Sequence, residues 1–406
     1  MFLPPKLTYE GRWDVSELRA RSDWPCSSVH FGVSVGGGGG GFTIRWHGAR
    51  SRINLTVTHA ETDALVRSAV LEGPWFDPLE RPRVERLGFE RGVRGRFAVR
   101  LRKLTQATPL SMGLATKFFA PSVLSVYGVS AHGDVQLFSA AAPTRQIQLI
   151  GASDTAGYCV DGTPHTSSLA DTLLGYHFSD CDGAYGADLG RRFAAHVSVQ
   201  ALAGAGLTQN ANAARVWEEG PLTMADLFNR TLQTESAAWN VTTRLPHIII
   251  LSLGGNDYNH QQGRVPSNAS FEAAYVQLLR RLDYARARAA SVPVLSVCGM
   301  GDPTEAARDP DNNRCRPCPH VEQAVRAFAA GQPPRRRIEY LFIPCDGSVV
   351  SGAADLGCAG HKNWRGQRRV ADFIAPAVAR LTGWSTRDPS RSPLLFERTR
   401  TIVDAR

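Results

Sequence analysis

A change of pattern near residue 143 constrains this chain more than any other feature. Before it, apolar residues come in short stretches separated by turn signals, with little helical periodicity. Ser28–Val35, Phe42–Trp46, Ile53–Thr58, Arg96–Leu101 and Ser122–Val129 are the strand candidates. Short, evenly spaced strands predict an all-β, jelly-roll-like sandwich over residues 1–142. The run Gly36–Gly41 has no side chains to pack, so it is expected to be a flexible hairpin loop.

From Arg145 the pattern alternates. Strand candidates are Ile147–Ile150, His196–Gln200, His247–Leu253, Val292–Val297 and Ile338–Ile343. Between the third and fourth, Phe271, Ala274, Tyr275, Leu278 and Leu282 share one face of a helix expected over Phe271–Ala290, with Ser270 as N-cap. Val370, Ile374, Val378 and Leu381 do the same for a last helix, which Pro376 should kink. The expected fold class is therefore α/β over 145–384, a parallel sheet flanked by helices, preceded by the all-β unit. Active sites in such sheets lie at the carboxyl ends of the strands. Residues 385–406 are polar and basic and are expected to be a disordered tail.

Composition excludes several classes. With 43% hydrophobic and 20% charged residues, the chain is an ordinary globular protein, and no apolar run is long enough to span a bilayer. The net charge of +9 is concentrated in clusters such as Arg335–Arg337, Arg365 and Arg368–Arg369, without interleaved aromatics. That reads as a solvated basic surface and not a nucleic-acid platform, with acidic polysaccharide as a weaker alternative. Eight cysteines and sequons at Asn54, Asn229, Asn240 and Asn268 favour secretion, although no signal peptide is readable after Met1. Cys315-Arg-Pro-Cys318 with His320 nearby invites a zinc site, but no second ligand pair supports one, and disulfide or free-thiol use is the better reading. In a secreted protein, Cys345 with Cys358 and Cys159 with Cys181 are the expected disulfides.

Four segments carry chemistry. Gly151-Ala-Ser153 places a hydroxyl at the end of the first parallel strand, where it would need a base to become a nucleophile. Gly204, in Ala203-Gly-Ala-Gly206, lets backbone amides approach a ligand. Asn256, in Gly254-Gly-Asn-Asp257, offers a side-chain amide to a developing oxyanion. His361 follows a glycine-containing loop just ahead of the last helix. Taken alone, the Ser153, Gly204 and His361 segments read better as a turn, a packing glycine and a structural or exposed loop histidine, and the Asn256 segment reads equally as a turn. In this order they resemble the SGNH/GDSL hydrolase superfamily.

The resemblance extends to carbohydrate esterase family two, the acetylxylan-esterase-like enzymes. It is carried by Tyr9-Glu-Gly-Arg-Trp-Asp14, Trp24-Pro-Cys-Ser-Ser28, Lys103-Leu-Thr-Gln-Ala107, Ala184-Tyr-Gly186, Cys298-Gly-Met300 and Gly357–His361 followed by Asn363. It implies an SGNH-type catalytic domain behind a β-sandwich, Ser153 as nucleophile, His361 as base, and Gly204 and Asn256 in the oxyanion hole. It also implies hydrolysis of acetyl esters on polysaccharides or oligosaccharides without metal or cofactor.

Two departures stand out. The family's Gly-Asp-Ser is Gly-Ala-Ser here, with the aspartate after the serine. The aspartate usually placed two residues before the histidine is replaced by Ala359, with Cys358 ahead of it. Asp355 is then a possible third member. A backbone carbonyl serving a Ser–His dyad is the preferred alternative. Tyr258 and His260 are candidates for the sugar site, with core packing an equal reading of Tyr258. A monomer is expected. The rivals are a lipase or thioesterase on the same fold, disfavoured by the lack of an apolar lid, and a non-catalytic carbohydrate-binding protein, disfavoured by retention of all four motif residues.

Overall fold

The computed structural model describes residues 7–387, apart from 75–76, 78, 108–121, 141–142, 165–174, 212–221, 241–243, 260–264, 285–291, 302–313 and 333–336. The expectations for His260 and the tail beyond residue 387 lie outside the described residues. So does the end of the helix expected to reach Ala290.

Among the described residues, the first half forms one nine-stranded antiparallel sheet. Its spine is β4 (Ser28–His47), which pairs along most of its length with β9 (Leu124–Phe138). Its other edge pairs with β8 (Arg94–Lys103) and then β7 (Arg83–Phe89). Between these lie β5 (Arg52–His59) on the far side of β8 and β6 (Leu65–Glu72) beyond it. Three short strands precede them: β1 (Thr8–Glu10), β2 (Asp14–Val15) and β3 (Ala20–Ser22). Trp46, Phe31, Phe42, Phe97 and alternating aliphatics bury one face.

The glycine run is not a hairpin loop. It lies inside β4, where the register against β9 shifts between Val35 and Gly40. Side chains do not fit there: a Cβ on Gly41 would lie 2.1 Å from the Leu87 carbonyl oxygen, and one on Gly40 2.4 Å from that of His132. The glycines let three strands pass at close range, which local composition cannot distinguish from a flexible loop.

The second half is a five-stranded parallel sheet in the order β11-β10-β12-β13-β14. The strands are β10 (Arg145–Gly151), β11 (Ala195–Ala201), β12 (Ile248–Ser252), β13 (Val294–Gly299) and β14 (Ile338–Ile343). Helices Tyr185–Phe193 and Trp364–Thr382 cover one face, and Asn268–Tyr284 and Cys318–Ala330 the other. The last helix runs through Pro376. The third begins at Asn268, not Phe271, because Ser267 caps it: its hydroxyl accepts from the Ser270 amide at 3.2 Å. No described helix is long and apolar enough to cross a membrane.

All eight cysteines are paired, and the expected pairs are both wrong. The bonds are Cys26–Cys181, Cys159–Cys358, Cys298–Cys318 and Cys315–Cys345. Two of them join segments 155 and 199 residues apart, whereas the expectation weighed short loops. Cys315 and Cys318 are thereby unavailable to zinc. The Asn54 sequon is also structural: Asn54 is buried, and its amide donates to Asp182 Oδ2 at 2.8 Å.

A buried polar seam joins the two sheets. Arg102 of β8 donates to Glu10 at 2.7 Å and to Asp182 at 2.8 Å, with all three side chains nearly inaccessible. Glu10 also accepts the backbone N–H of Val197, an outward-facing donor on edge strand β11, and contacts His30 and His196. Burial alone would raise the Glu10 carboxyl; Arg102 and the two imidazoles outweigh it and hold it well below the ordinary carboxylate range. Arg102→Ala would leave two carboxylates buried without their shared cation, a loss of about 3–5 kcal/mol for such a pair. Chemical denaturation at neutral pH should show it as a lower midpoint, and an unchanged midpoint would contradict this account of the seam.

Candidate active site

The order of the parallel sheet sets a switch point at β10, whose neighbours β11 and β12 continue the chain in opposite directions across the sheet. Open parallel sheets bind ligands in the crevice outside such a point. Here the strand ends are level, because Gly151 pairs with Ala201 on one side and Ser252 on the other. Ser153, Gly204 and Asn256 follow these strands within a few residues, so the three loops emerge together.

Ser153 opens a single helical turn, Ser153–Ala156, directly after β10. The turn is tight enough to require Gly151: a Cβ there would lie 2.1 Å from Thr155 Oγ1. Thr155 is fixed in turn by Tyr185, hydroxyl to hydroxyl at 2.8 Å. His361 arrives from a loop that precedes the last helix, whose N-cap Asn363 accepts from the Arg365 and Gly366 amides. His361 Nε2 lies 2.8 Å from Ser153 Oγ, across 208 residues of sequence. The Cys159–Cys358 disulfide links the segment after Ser153 to the loop before His361, and the Tyr158 ring meets the imidazole edge-on at 5.0 Å.

The imidazole is neutral at physiological pH. Burial pushes it down to about 4, Arg314 and Lys362 push the same way, and Asp154 opposes them. Among the described residues its Nδ1 makes no well-formed hydrogen bond, but the Ala359 carbonyl is close enough to favour the protonated ring. Asp355 is not on the histidine. Its carboxylate accepts from the Ser351 amide and hydroxyl at 2.9 and 2.8 Å and pairs with Arg369 at 3.2 Å.

Asn256 and Gly204 share one loop cluster. One Asn256 Nδ2–H donates to the Ala205 carbonyl at 2.8 Å. Gly204 has φ +83°, and a Cβ there would meet nothing within 4 Å. Two residues that sequence reasoning passed over hold this cluster. Asp257, fully buried, accepts from the Leu207, Thr208 and Gln209 amides and the Thr208 hydroxyl. Gln106, from the antiparallel half, accepts from the Ala203 amide at 2.7 Å. Asp257 had a signal in its Gly-Gly-Asn-Asp context; Gln106 had only its place in the quoted Lys103–Ala107 segment.

Tyr258 offers the site no surface. It is 2% exposed, stacks on His320 and donates to Asn268 Oδ1, so the packing alternative holds. A serine hydroxyl within hydrogen-bond reach of an imidazole nitrogen is a pairing that acyl transfer can use.

No family model matches the chain. Solved structures do match it. A family two carbohydrate esterase from Clostridium thermocellum, in complex with cellohexaose, superposes with a TM-score of 0.70 at 17% identity, over 93% of this chain and 99% of that one. Its fold is that of the family two carbohydrate esterases. An acetyl xylan esterase (Est2A) from the rumen bacterium Butyrivibrio proteoclasticus superposes with a TM-score of 0.70 at 12% identity, over 94% of this chain and 97% of that one. In sequence, the chain is 29% identical over 148 residues to the cellulase/esterase CelE of Acetivibrio thermocellus. That match takes in 36% of this chain and only 17% of the length of that protein.

Because burial lowers the His361 pKa, the ring should stay neutral as pH falls until about 4, instead of protonating near its ordinary value of 6.5. Below that point Nε2 becomes a donor and can no longer accept the Ser153 proton. Nitrogen-15 NMR of labelled histidine should place the His361 midpoint close to 4. A midpoint at or above 6.5 would contradict the buried, neutral ring.

Proposed function

We propose that the protein is a carbohydrate O-acetyl esterase that works through a serine acyl-enzyme. The observation that carries this reading is the 2.8 Å contact between Ser153 Oγ and His361 Nε2 at the switch point of the parallel sheet. In this reading residues 1–142 form the jelly-roll-like sandwich of such an enzyme and 145–384 its catalytic domain.

Ser153 Oγ attacks the ester carbonyl as its proton passes to His361 Nε2. The Gly204 N–H, the Ser153 N–H and Asn256 Nδ2 donate to the oxyanion. An amide carries two N–H donors; Asn256 spends one on the Ala205 carbonyl, which fixes the direction of the other. Collapse of the tetrahedral intermediate breaks the acyl–oxygen bond, and the imidazolium gives its proton to the departing sugar oxygen, which leaves as a hydroxyl. Water then attacks the acyl-serine, His361 takes its proton, and acetate leaves with Ser153 restored. No step calls for a metal or cofactor.

The carbohydrate substrate is supported by the family two fold and by the Clostridium thermocellum structure, which holds cellohexaose. An acetyl group is supported by the Est2A likeness. Extracellular location is supported by the four disulfides, since such bonds persist in oxidising compartments.

Purified protein should release acetate from acetylated xylan, mannan or pectin, and Ser153→Ala should fold normally and lose several orders of magnitude in kcat. Wild-type turnover by folded Ser153→Ala would remove Ser153 from the mechanism. With p-nitrophenyl esters, kcat/KM should fall steeply beyond propionate; preference for octanoate would instead indicate a lipase. Asn256→Ala should lower kcat roughly a hundred- to thousand-fold with little change in KM, as expected for a donor to charge present only in the transition state. A change in KM alone would make Asn256 a sugar contact.

A further inference from the structure

The base loop lacks the usual triad carboxylate, and Asp355 is engaged elsewhere. The residue after the nucleophile is an aspartate, and the residue after the base is a lysine. Lys362 Nζ donates to Asp154 Oδ2 at 2.7 Å, immediately beside the Ser153–His361 contact. Arg314 Nε lies 3.3 Å from the same oxygen. Lys362 is 1% exposed and Asp154 12%, so solvent does little to weaken the pair. The same two segments are thus joined three times, by a hydrogen bond, an ion pair and a disulfide.

We propose that Asp154 is the positioning carboxylate of the site, clamped by Lys362 and Arg314 so that its charge serves the His361 imidazole from the nucleophile's side. This rests on the reading of Ser153 and His361 as nucleophile and base. Two buried polar atoms at this place lack a hydrogen bond among the described residues, Asp154 Oδ1 and His361 Nδ1. Among the described residues, the groups that bear on the ring are Ser153 Oγ, the Tyr158 edge, the Ala359 carbonyl, Asp154, Lys362 and Arg314. Of these, Asp154 is the one anion, and it is the foremost influence favouring the imidazolium. Burial would raise its own carboxyl, but Lys362, Arg314 and His361 together hold it well below the ordinary range. It is ionised whenever His361 accepts a proton.

The carboxylate need not contact Nδ1 to act. A fixed negative charge near the ring stabilises the imidazolium that forms as Ser153 attacks, and the Lys362 clamp fixes the imidazole loop relative to the serine turn. Burial, with the two cations acting the same way, keeps the resting ring neutral. A carboxylate of this kind stabilises charge without becoming protonated.

The test separates charge from scaffolding by sign. Asp154→Asn should lower kcat about tenfold with KM unchanged and move the His361 midpoint down by about one pH unit, the lower end for loss of an opposite charge nearby. Lys362→Met should move the midpoint up by a similar amount, because a cation that opposes the imidazolium is gone and the aspartate is less neutralised. Asp154→Glu keeps the charge and should keep the wild-type midpoint and most of the kcat. A merely structural pair would lose melting temperature and activity in both variants with the midpoint unmoved, and that result overturns the proposal. If Asp154→Asn alone fails to fold, the double variant Asp154→Asn/Lys362→Met decides: a midpoint below that of Lys362→Met supports the proposal and an equal midpoint rejects it. The midpoints are read by NMR without turnover, so a failure of Ser153 as nucleophile would show in Ser153→Ala hydrolysis and not in these shifts.

Discussion

Arg102 sits between the two sheets with both of its ionic partners buried, Glu10 from the first strand and Asp182 from a turn of the parallel-sheet half. Three buried charges form a favourable arrangement only when all are present and correctly placed. Glu10 extends the arrangement by accepting the Val197 N–H on the open edge of β11, which would otherwise be a buried, unsatisfied donor. Asn54 completes it by donating to Asp182. The Cys26–Cys181 bond pins the same seam covalently next to Asp182. The antiparallel half is therefore built into the parallel sheet, and Gln106 continues that contact to the amide just ahead of Gly204.

That rigid seam gives the site its setting. Three loops leave level strand ends, and each is held by a buried acceptor or donor: Thr155 by Tyr185, the Gly204 loop by Asp257 and Gln106, and Asn256 by the Ala205 carbonyl. The fourth participant, His361, comes from the far end of the sheet and has no strand of its own to fix it. Its position depends on the Cys159–Cys358 bond, the Asp154–Lys362 pair and the Asn363 cap of the following helix. In a Ser–His pair of the kind proposed, such tethers carry more weight, because among the described residues nothing hydrogen-bonds firmly to Nδ1 to hold the ring.

Much of this was legible in sequence. The five parallel strands fall where apolar runs bounded by glycine and polar residues placed them, since core strands are specified by local composition. The helix faces followed from the spacing of Phe271, Tyr275, Leu278 and Leu282, all buried in the structure. The Ser153, Gly204, Asn256 and His361 segments were recognisable from their order and their places after strands. The exposed strands β6 and β7, by contrast, have mostly exposed residues and carry little hydrophobic signal.

The sequence by itself determined what depends on near neighbours: which segments are strand or helix, which faces are apolar, and which residue types stand at strand ends. Only the tertiary structure decided what depends on partners far along the chain. The glycine run became the middle of a strand because two other strands crowd it. Cys358 paired with Cys159 and not with its chain neighbour Cys345. Asn54, a glycosylation signal on paper, became a buried donor. Asp154 met Lys362, and Ser153 met His361, across 208 residues. Periodicity records the angle at which a residue leaves its own element. It holds no record of which distant segment arrives opposite, because that is fixed by the packing of the whole core.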